Sequence, residues 1–290
     1  MYRIVAIILL SITLSFPVFS RAMCESGDAC IEVSRWDLGL AIGYGQKTNP
    51  LGNYDDIPIF VVPSIAYYGD AWFFDNGNVG YTLAEGENFT INAVTSYSRD
   101  RAFFYRWDPS NIFISGYSAN VAKNDVQTFS RATLSTEPDF TPTEMETRNF
   151  TFLGGFETFL YTRFGILKLA LTHDLFNVHQ GSEAEVRWNY RWVVSQWSID
   201  TGLVLNWKSE KVVDYYYGIR TSESAYWSQQ YHASSAWNSG IEITARYAFT
   251  DKWDLLMVGR YTQIADEITA SPLLDKDYTS TYFIGAAYRF

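Results

Sequence analysis

The chain has 290 residues, a formal net charge of −10, and aromatic side chains at 18 % of positions, with 10 Trp, 21 Tyr and 20 Phe. So acidic a chain repels nucleic acid rather than binding it. So many rings suit a water-soluble domain poorly, yet beyond the leading residues no apolar run approaches the roughly 18 residues of a membrane-spanning helix.

At the start, Arg3 precedes an apolar run at 4–16, Pro17 breaks it, and Ser20 and Ala22 occupy the −3 and −1 positions of a cleavage site. The pattern predicts a secretory signal at 1–22. A lipoprotein signal ending at Cys24 suits the preceding Arg21-Ala22-Met23 badly. Losing Arg3 and Arg21 takes the net charge to −12. Residues 23–35 then form a short periplasmic segment, in which Cys24 and Cys30 can close a small disulfide loop. The pair has neither redox-motif nor metal-site spacing.

From residue 36 onward, apolar and polar positions alternate. Trp36, Leu38, Leu40, Ile42 and Tyr44 oppose Asp37, Gly39, Ala41, Gly43 and Gly45. The pattern returns at 89–98, 184–192, 197–208 and 241–249, and again in the closing Tyr282, Ile284, Ala286, Tyr288 and Phe290. Period two means strands with unlike faces. Rings at both ends of several faces, such as Trp36 with Tyr44, Phe89 with Tyr97 and Trp197 with Trp207, match the aromatic girdles of a membrane barrel. A soluble sandwich would alternate too, but has no need of rings at both strand ends. The predicted fold is therefore all-β: a transmembrane antiparallel up-and-down β-barrel over 36–290.

Strands are predicted at 36–46, 59–68, 71–83, 88–100, 149–161, 165–173, 184–194, 197–208, 236–249, 253–264 and 279–290. Both termini on one side of the membrane require an even number, so a twelfth is expected within 101–148, at 111–119 or 126–134. Ten is the fallback. Tight turns are expected near 69–70, 163–165, 195–196 and 250–252 on the periplasmic side, and long loops at 46–58, 101–148, 174–183, 209–235 and 265–278 outside.

The faces opposite the apolar ones carry Lys168, Glu185, Arg187, Arg191, Asp200, Glu242, Arg246, Arg260 and Arg289. Charges of both signs on neighbouring strands predict a paired network in the lumen, because buried charges need partners. Twelve strands enclose less space than a porin does, leaving room for a narrow passage at most. Catalytic and metal readings find little support. Asp55-Asp56 and His173-Asp174 are the acid–base candidates. His173 and His179 are not at metal-ligand spacing, and Asp75-Asn76-Gly77-Asn78 lacks the closing Glu of a calcium loop and reads as a turn or bulge. No catalytic, cofactor or metal residue is predicted. The loop at 209–235 is rich in Tyr and Trp, adaptable contact residues.

Several stretches together, "NPLGNYDDIPIFVVPSIAYYGDAWFFDNGNVGYTL", "DYYYGI", "SPLLDKDY" and the final "YRF", resemble the MipA/OmpV family of Gram-negative outer-membrane proteins. Ala270 stands where many members carry Asp, and the Cys24–Cys30 prefix is not a family feature. The resemblance implies an outer-membrane barrel without enzymatic activity, embedded among lipid and lipopolysaccharide. It implies scaffolding of a lytic murein transglycosylase and a murein synthase, and insertion by the barrel-assembly machinery, for which the terminal Phe290 resembles the signal. The alternatives are a narrow channel for small solutes and a surface adhesin with aromatic loops.

Overall fold

A computed structural model describes residues 34–113 and 145–290. The predicted signal at 1–22, Cys24 and Cys30 lie outside the described residues. Twelve strands form the wall: β1 (Arg35–Lys47), β2 (Ile57–Tyr68), β3 (Trp72–Asp75), β4 (Asn78–Gly86), β5 (Phe89–Tyr97), β6 (Phe152–Thr162), β7 (Gly165–Asp174), β8 (Ser182–Val194), β9 (Trp197–Lys208), β10 (Ala236–Ala248), β11 (Trp253–Gln263) and β12 (Tyr278–Arg289). Each pairs antiparallel with its sequence neighbours, and β12 closes on β1. Closure lets the wall satisfy its own backbone in hydrocarbon.

The alternation sets the faces. One row of ladder partners runs Leu167, Trp188, Leu203, Ile241, Tyr261, Ser280 and points outward. The next row runs Asn189, Gly202, Glu242, Arg260, Thr281 and points inward. From β7 to β12 the outward row set contains no Asp, Glu, Lys or Arg. Aromatic clusters edge this band. Trp36, Tyr67 and Trp72 stack at one end, with ring centroids 5.1 and 5.0 Å apart, and Tyr44 lies 6.0 Å from Phe60 at the other. The short turns after β2, β4, β6, β8 and β10 share the side of Trp36, which is therefore periplasmic. Phe290 ends there too, 69 % exposed, its amide donating to the Leu38 carbonyl.

Twelve strands stand as expected, but the twelfth is not where it was sought. The stretch 71–83, read as one strand, is two: Asn76 (φ 48°) and Gly77 (φ 92°) turn the chain between Asp75 and Asn78. Both central residues adopt positive φ, the demand of the tight hairpin turn that Asn-Gly satisfies best. β5 pairs directly with β6, and the described residues of 101–148 form no strand of the wall. Residues 109–112 of that stretch form helix α1 (Pro109–Ile112) instead, with Pro at its first turn and Asp108 capping the Ser110 amide. The rest of candidate 111–119 beyond Phe113, and all of 126–134, lie outside the described residues. Tyr97, expected in the girdle, is buried over the Asn76–Gly77 turn and donates to the Asn76 carbonyl.

The loop after β5 folds into the barrel. Its 3-10 turn (Asp100–Phe103) places Asp100 on Lys208, while Lys47 donates to Asn111 at 2.9 Å. Lys47 and Lys208 are inward residues at the outer ends of β1 and β9, so this segment crosses the outer lumen. Over it lies helix α2 (Glu210–Tyr217), followed by α3 (Trp227–Gln230), with α4 (Asp266–Thr269) in the last loop. There are two apolar cores. One unites the outer loops through Leu51, Phe103, Val212, Val213, Tyr216, Ile268 and Leu273. The other lines the inner wall of β1, β2, β11 and β12 through Ile59, Val62, Leu256, Val258 and Phe283.

Candidate functional site

Five of the nine predicted lumen charges join one chain of ion pairs. Lys168 lies 3.0 Å from Glu157 and 3.4 Å from Glu185. Glu185 meets Arg187 at 3.1 Å and Arg99 at 3.5 Å. Arg187 then reaches Glu242, which accepts from Arg260 at 2.9 Å. To touch β10, Arg187 must cross β9, and Gly202 makes the crossing open: a Cβ there would stand 2.7 Å from the Glu242 Cγ. The other four form two smaller groups. Arg191 pairs with Asp200 at 3.1 Å. Arg246 and Arg289 share Asp254, at 3.7 and 3.0 Å.

Glu157, Arg99 and Asp254 were missing from the expected set. For Glu157 the signal was a lone carboxylate opposite the outward Phe156 and Thr158. For Asp254 it was the second position of a strand whose ends were uncertain. Arg99 falls within the strand expected at 88–100, on the parity of the outward Phe89; the strand ends at Tyr97, and Arg99 enters from the loop beyond it.

Exposure is uneven within the lumen: Arg191 and Arg289 side chains, toward the periplasm, are 43 % and 36 % exposed, but Arg246 beside them is at 5 %, and Arg187 and Glu242 are at 12 % and 9 %.

The outer mouth is capped by packing and pinned by polar contacts. Arg148 and Glu223, both with fully buried side chains, pair at 2.7 Å, and Arg148 also donates to the carbonyls of Glu146 and Gly218. Tyr217 donates to Asp100 at 2.7 Å, and Ser271 donates to the Tyr217 carbonyl. Lys276 bridges Asp56 and the Asn49 carbonyl. These contacts span four loops far apart in sequence.

The acid–base candidates do not assemble. His173 faces out and contacts Ser182 at 2.9 Å. Asp174, its neighbour in sequence, faces in and accepts from Thr151 and from the amides of Phe176, His179 and Gln180. Adjacent strand residues point to opposite faces, so the two carry no joint chemistry. Asp56 is held by Lys276, Gln46 and the Asn49 amide, apart from Asp55. Among the described residues no cluster of three or more His, Cys, Asp or Glu is placed to hold a metal.

Among the cap groups whose titration is shifted are Glu223 and His179. Burial pushes the Glu223 carboxyl up, but Arg148 and the amides of Arg220 and Glu146 outweigh it and hold it below the usual range. Burial holds the His179 imidazole below its usual value against the pull of Asp174, and its Nδ1 accepts from the Gly181 amide. Both folded values are depressed, so both contributions are present at neutral pH and lost on acidification. The cap should therefore loosen in two steps, first below about 6.5, where an unfolded histidine protonates, then below about 4.3 for Glu223. Limited proteolysis of 209–235 across pH checks this: cleavage should rise with acid, and unchanged protection down to the acid range contradicts it.

The family model described as MltA-interacting protein MipA matches residues 38–290. The MltA-interacting protein of Escherichia coli (strain K12) is 26 % identical over 254 residues, covering 87 % of this chain and 90 % of that protein. The putative outer membrane protein YiaT of the same strain is 23 % identical over 255 residues, covering 88 % and 91 %. Outer membrane protein OmpV of Vibrio cholerae is 24 % identical over 135 residues, covering 43 % and 49 %. Among solved structures, trimeric OmpT of Vibrio cholerae aligns with a TM-score of 0.35 and 8 % identity, over 89 % of this chain and all of that one.

Proposed function

This chain belongs to the MltA-interacting protein MipA family, and we propose from that premise that it is a non-catalytic outer-membrane scaffold. Its place is the outer membrane. Its work, on this reading, is to hold a lytic transglycosylase and a murein synthase at the periplasmic face. The observation that carries the reading is the filled outer mouth: a barrel capped by a buried core and crossed by ion pairs favours a role in attachment over one in transport.

The contact surface on this reading includes the periplasmic turns. Phe164 stands 63 % exposed on one of these turns, with Arg163 over its ring. A ring beside a guanidinium is typical of protein contacts. Full-length protein immobilised in detergent and exposed to envelope extract should retain a lytic transglycosylase. Retention no greater than on an unrelated barrel of similar size would remove the scaffold reading.

A further inference from the structure

Between the β7–β8 loop and helix α2, the outer face holds a cavity of about 350 Å³. Residues 178–180 line it from the loop, Lys211, Asp214 and Tyr215 from the helix, and 218–220 from the chain that follows. Its walls are fixed by contacts of their own. Asp174 pins the loop by accepting from the His179 and Gln180 amides. Gly181 lets the loop lie against the helix, since a Cβ there would stand 2.5 Å from the Val212 Cγ2. Arg148 holds the third wall through the Gly218 carbonyl. Gln180 itself has φ 53°, a left-handed backbone that glycine takes without cost. Strain of this kind clusters at ligand clamps.

The side chains around the cavity have hydrogen-bonding capacity to spare. The His179 side chain is fully buried, and its Nδ1 accepts from the Gly181 amide. The neutral ring therefore carries its hydrogen on Nε2, and that nitrogen has no partner among the described residues. Buried polar groups are otherwise nearly always paired. Asn149 donates to the Tyr215 hydroxyl oxygen at 2.7 Å, which leaves the hydroxyl hydrogen to give. Lys211 meets the Gln180 Oε1 at 3.5 Å, and Asp214 is exposed with no ion pair among the described residues.

The balance of these groups selects the ligand. Charge favours neither sign, because Asp214 offsets Lys211 and Glu146 pairs with Arg220 at 2.5 Å. Aliphatic lining is confined to Val178 and Ile219, too little to hold an acyl chain. Donors and acceptors in mixture are answered by hydroxyls, each of which both donates and accepts. The volume lies at the lower end for ligand sites. We propose that this cavity binds one neutral pyranose unit of a saccharide. Asp214 and Gln180 accept from ring hydroxyls, and the His179 Nε2–H donates to one from the buried part of the lining. The site lies at the opposite end of the barrel from the periplasmic turns and is independent of what those turns hold.

Imidazole NMR tests this on the full chain, which has three histidines. Protein labelled with 15N-histidine is folded in dodecylphosphocholine, a detergent without sugar, and His173→Gln and His232→Gln assign the signals. One arm adds the methyl glycosides of glucose, galactose and N-acetylglucosamine; the other adds the core oligosaccharide released from lipopolysaccharide. The His179 Nε2 signal should move and saturate while those of His173 and His232 stay. Movement with a methyl glycoside supports a site that a free sugar fills, and movement with the oligosaccharide alone supports one that takes a surface glycan. No movement with any of the four overturns the proposal. Gln180→Gly removes the carboxamide and keeps the backbone conformation, and Asp214→Asn removes the carboxylate. Each should raise the half-saturating concentration about tenfold, the worth of one good hydrogen bond, with the unboiled gel band unchanged. Half-saturation equal to the unsubstituted protein in both variants would also overturn it.

Discussion

Replacing Arg148 with alanine should destabilise the outer cap by about 3–5 kcal/mol, the usual cost of stripping one partner from a buried ion pair. Arg148 is among the largest fully buried side chains, and its fork answers the Glu223 carboxylate and the carbonyls of Glu146, Tyr216 and Gly218 together. Alanine leaves all four without that donor in a site closed to water. Arg148→Lys should rank between the two, because an ammonium supplies the charge but not the planar fork. The loss should be local. The wall is held by its ladders and needs nothing from Arg148, so the folded barrel should still migrate ahead of its boiled form on a gel. The readout is protease cleavage within 209–235, which should rise sharply in the alanine variant. Protection equal to the unsubstituted protein would mean that the cap stands on its apolar core alone.

Replacing Arg187 with alanine should cost about 3 kcal/mol, the lower end of that range, because its partners keep other cations. Glu185 retains Lys168 and Arg99, and Glu242 retains Arg260. Still, the link across β9 goes, and two carboxylates in a poorly hydrated lumen lose their shared counter-charge. Glu242→Gln should cost less in the Arg187→Ala background than alone, since the two residues share one interaction. Gly202→Val should produce the same defect from the opposite direction, by driving a branched side chain against Glu242. Urea titration of the folded band in detergent measures each variant. A shift under about 1 kcal/mol for Arg187→Ala would place the network with exposed pairs of little worth.

The barrel was legible because its determinants are local. Alternation in 197–208 or 282–290 announces a strand with a lipid face whatever its neighbours do, and the inward charges follow from the same parity. Each of the nine predicted charges lies within 3.7 Å of an opposite charge. The β3–β4 hairpin was hidden for the opposite reason. Its first arm is four residues long, too short to show a period, so Asn76-Gly77, though read as a turn or bulge, did not divide the strand expected at 71–83. The cap and the inward loop were hidden by distance: Asp100 and Lys208 are 108 residues apart, and Arg148 and Glu223 are 75 apart. Nothing in the local pattern around Asp100 says that a loop will turn into the lumen rather than away from it. His173-Asp174, weighed and set aside in the sequence, is parted by adjacency, which on a strand separates side chains rather than joining them.

The claim beneath these expectations is that the outer end is shut, so that the molecule works by what it holds rather than by what it passes. Purified full-length protein inserted into a planar bilayer should give a silent baseline at neutral pH under moderate voltage. Steady, reproducible single-channel steps from the same preparation would contradict it.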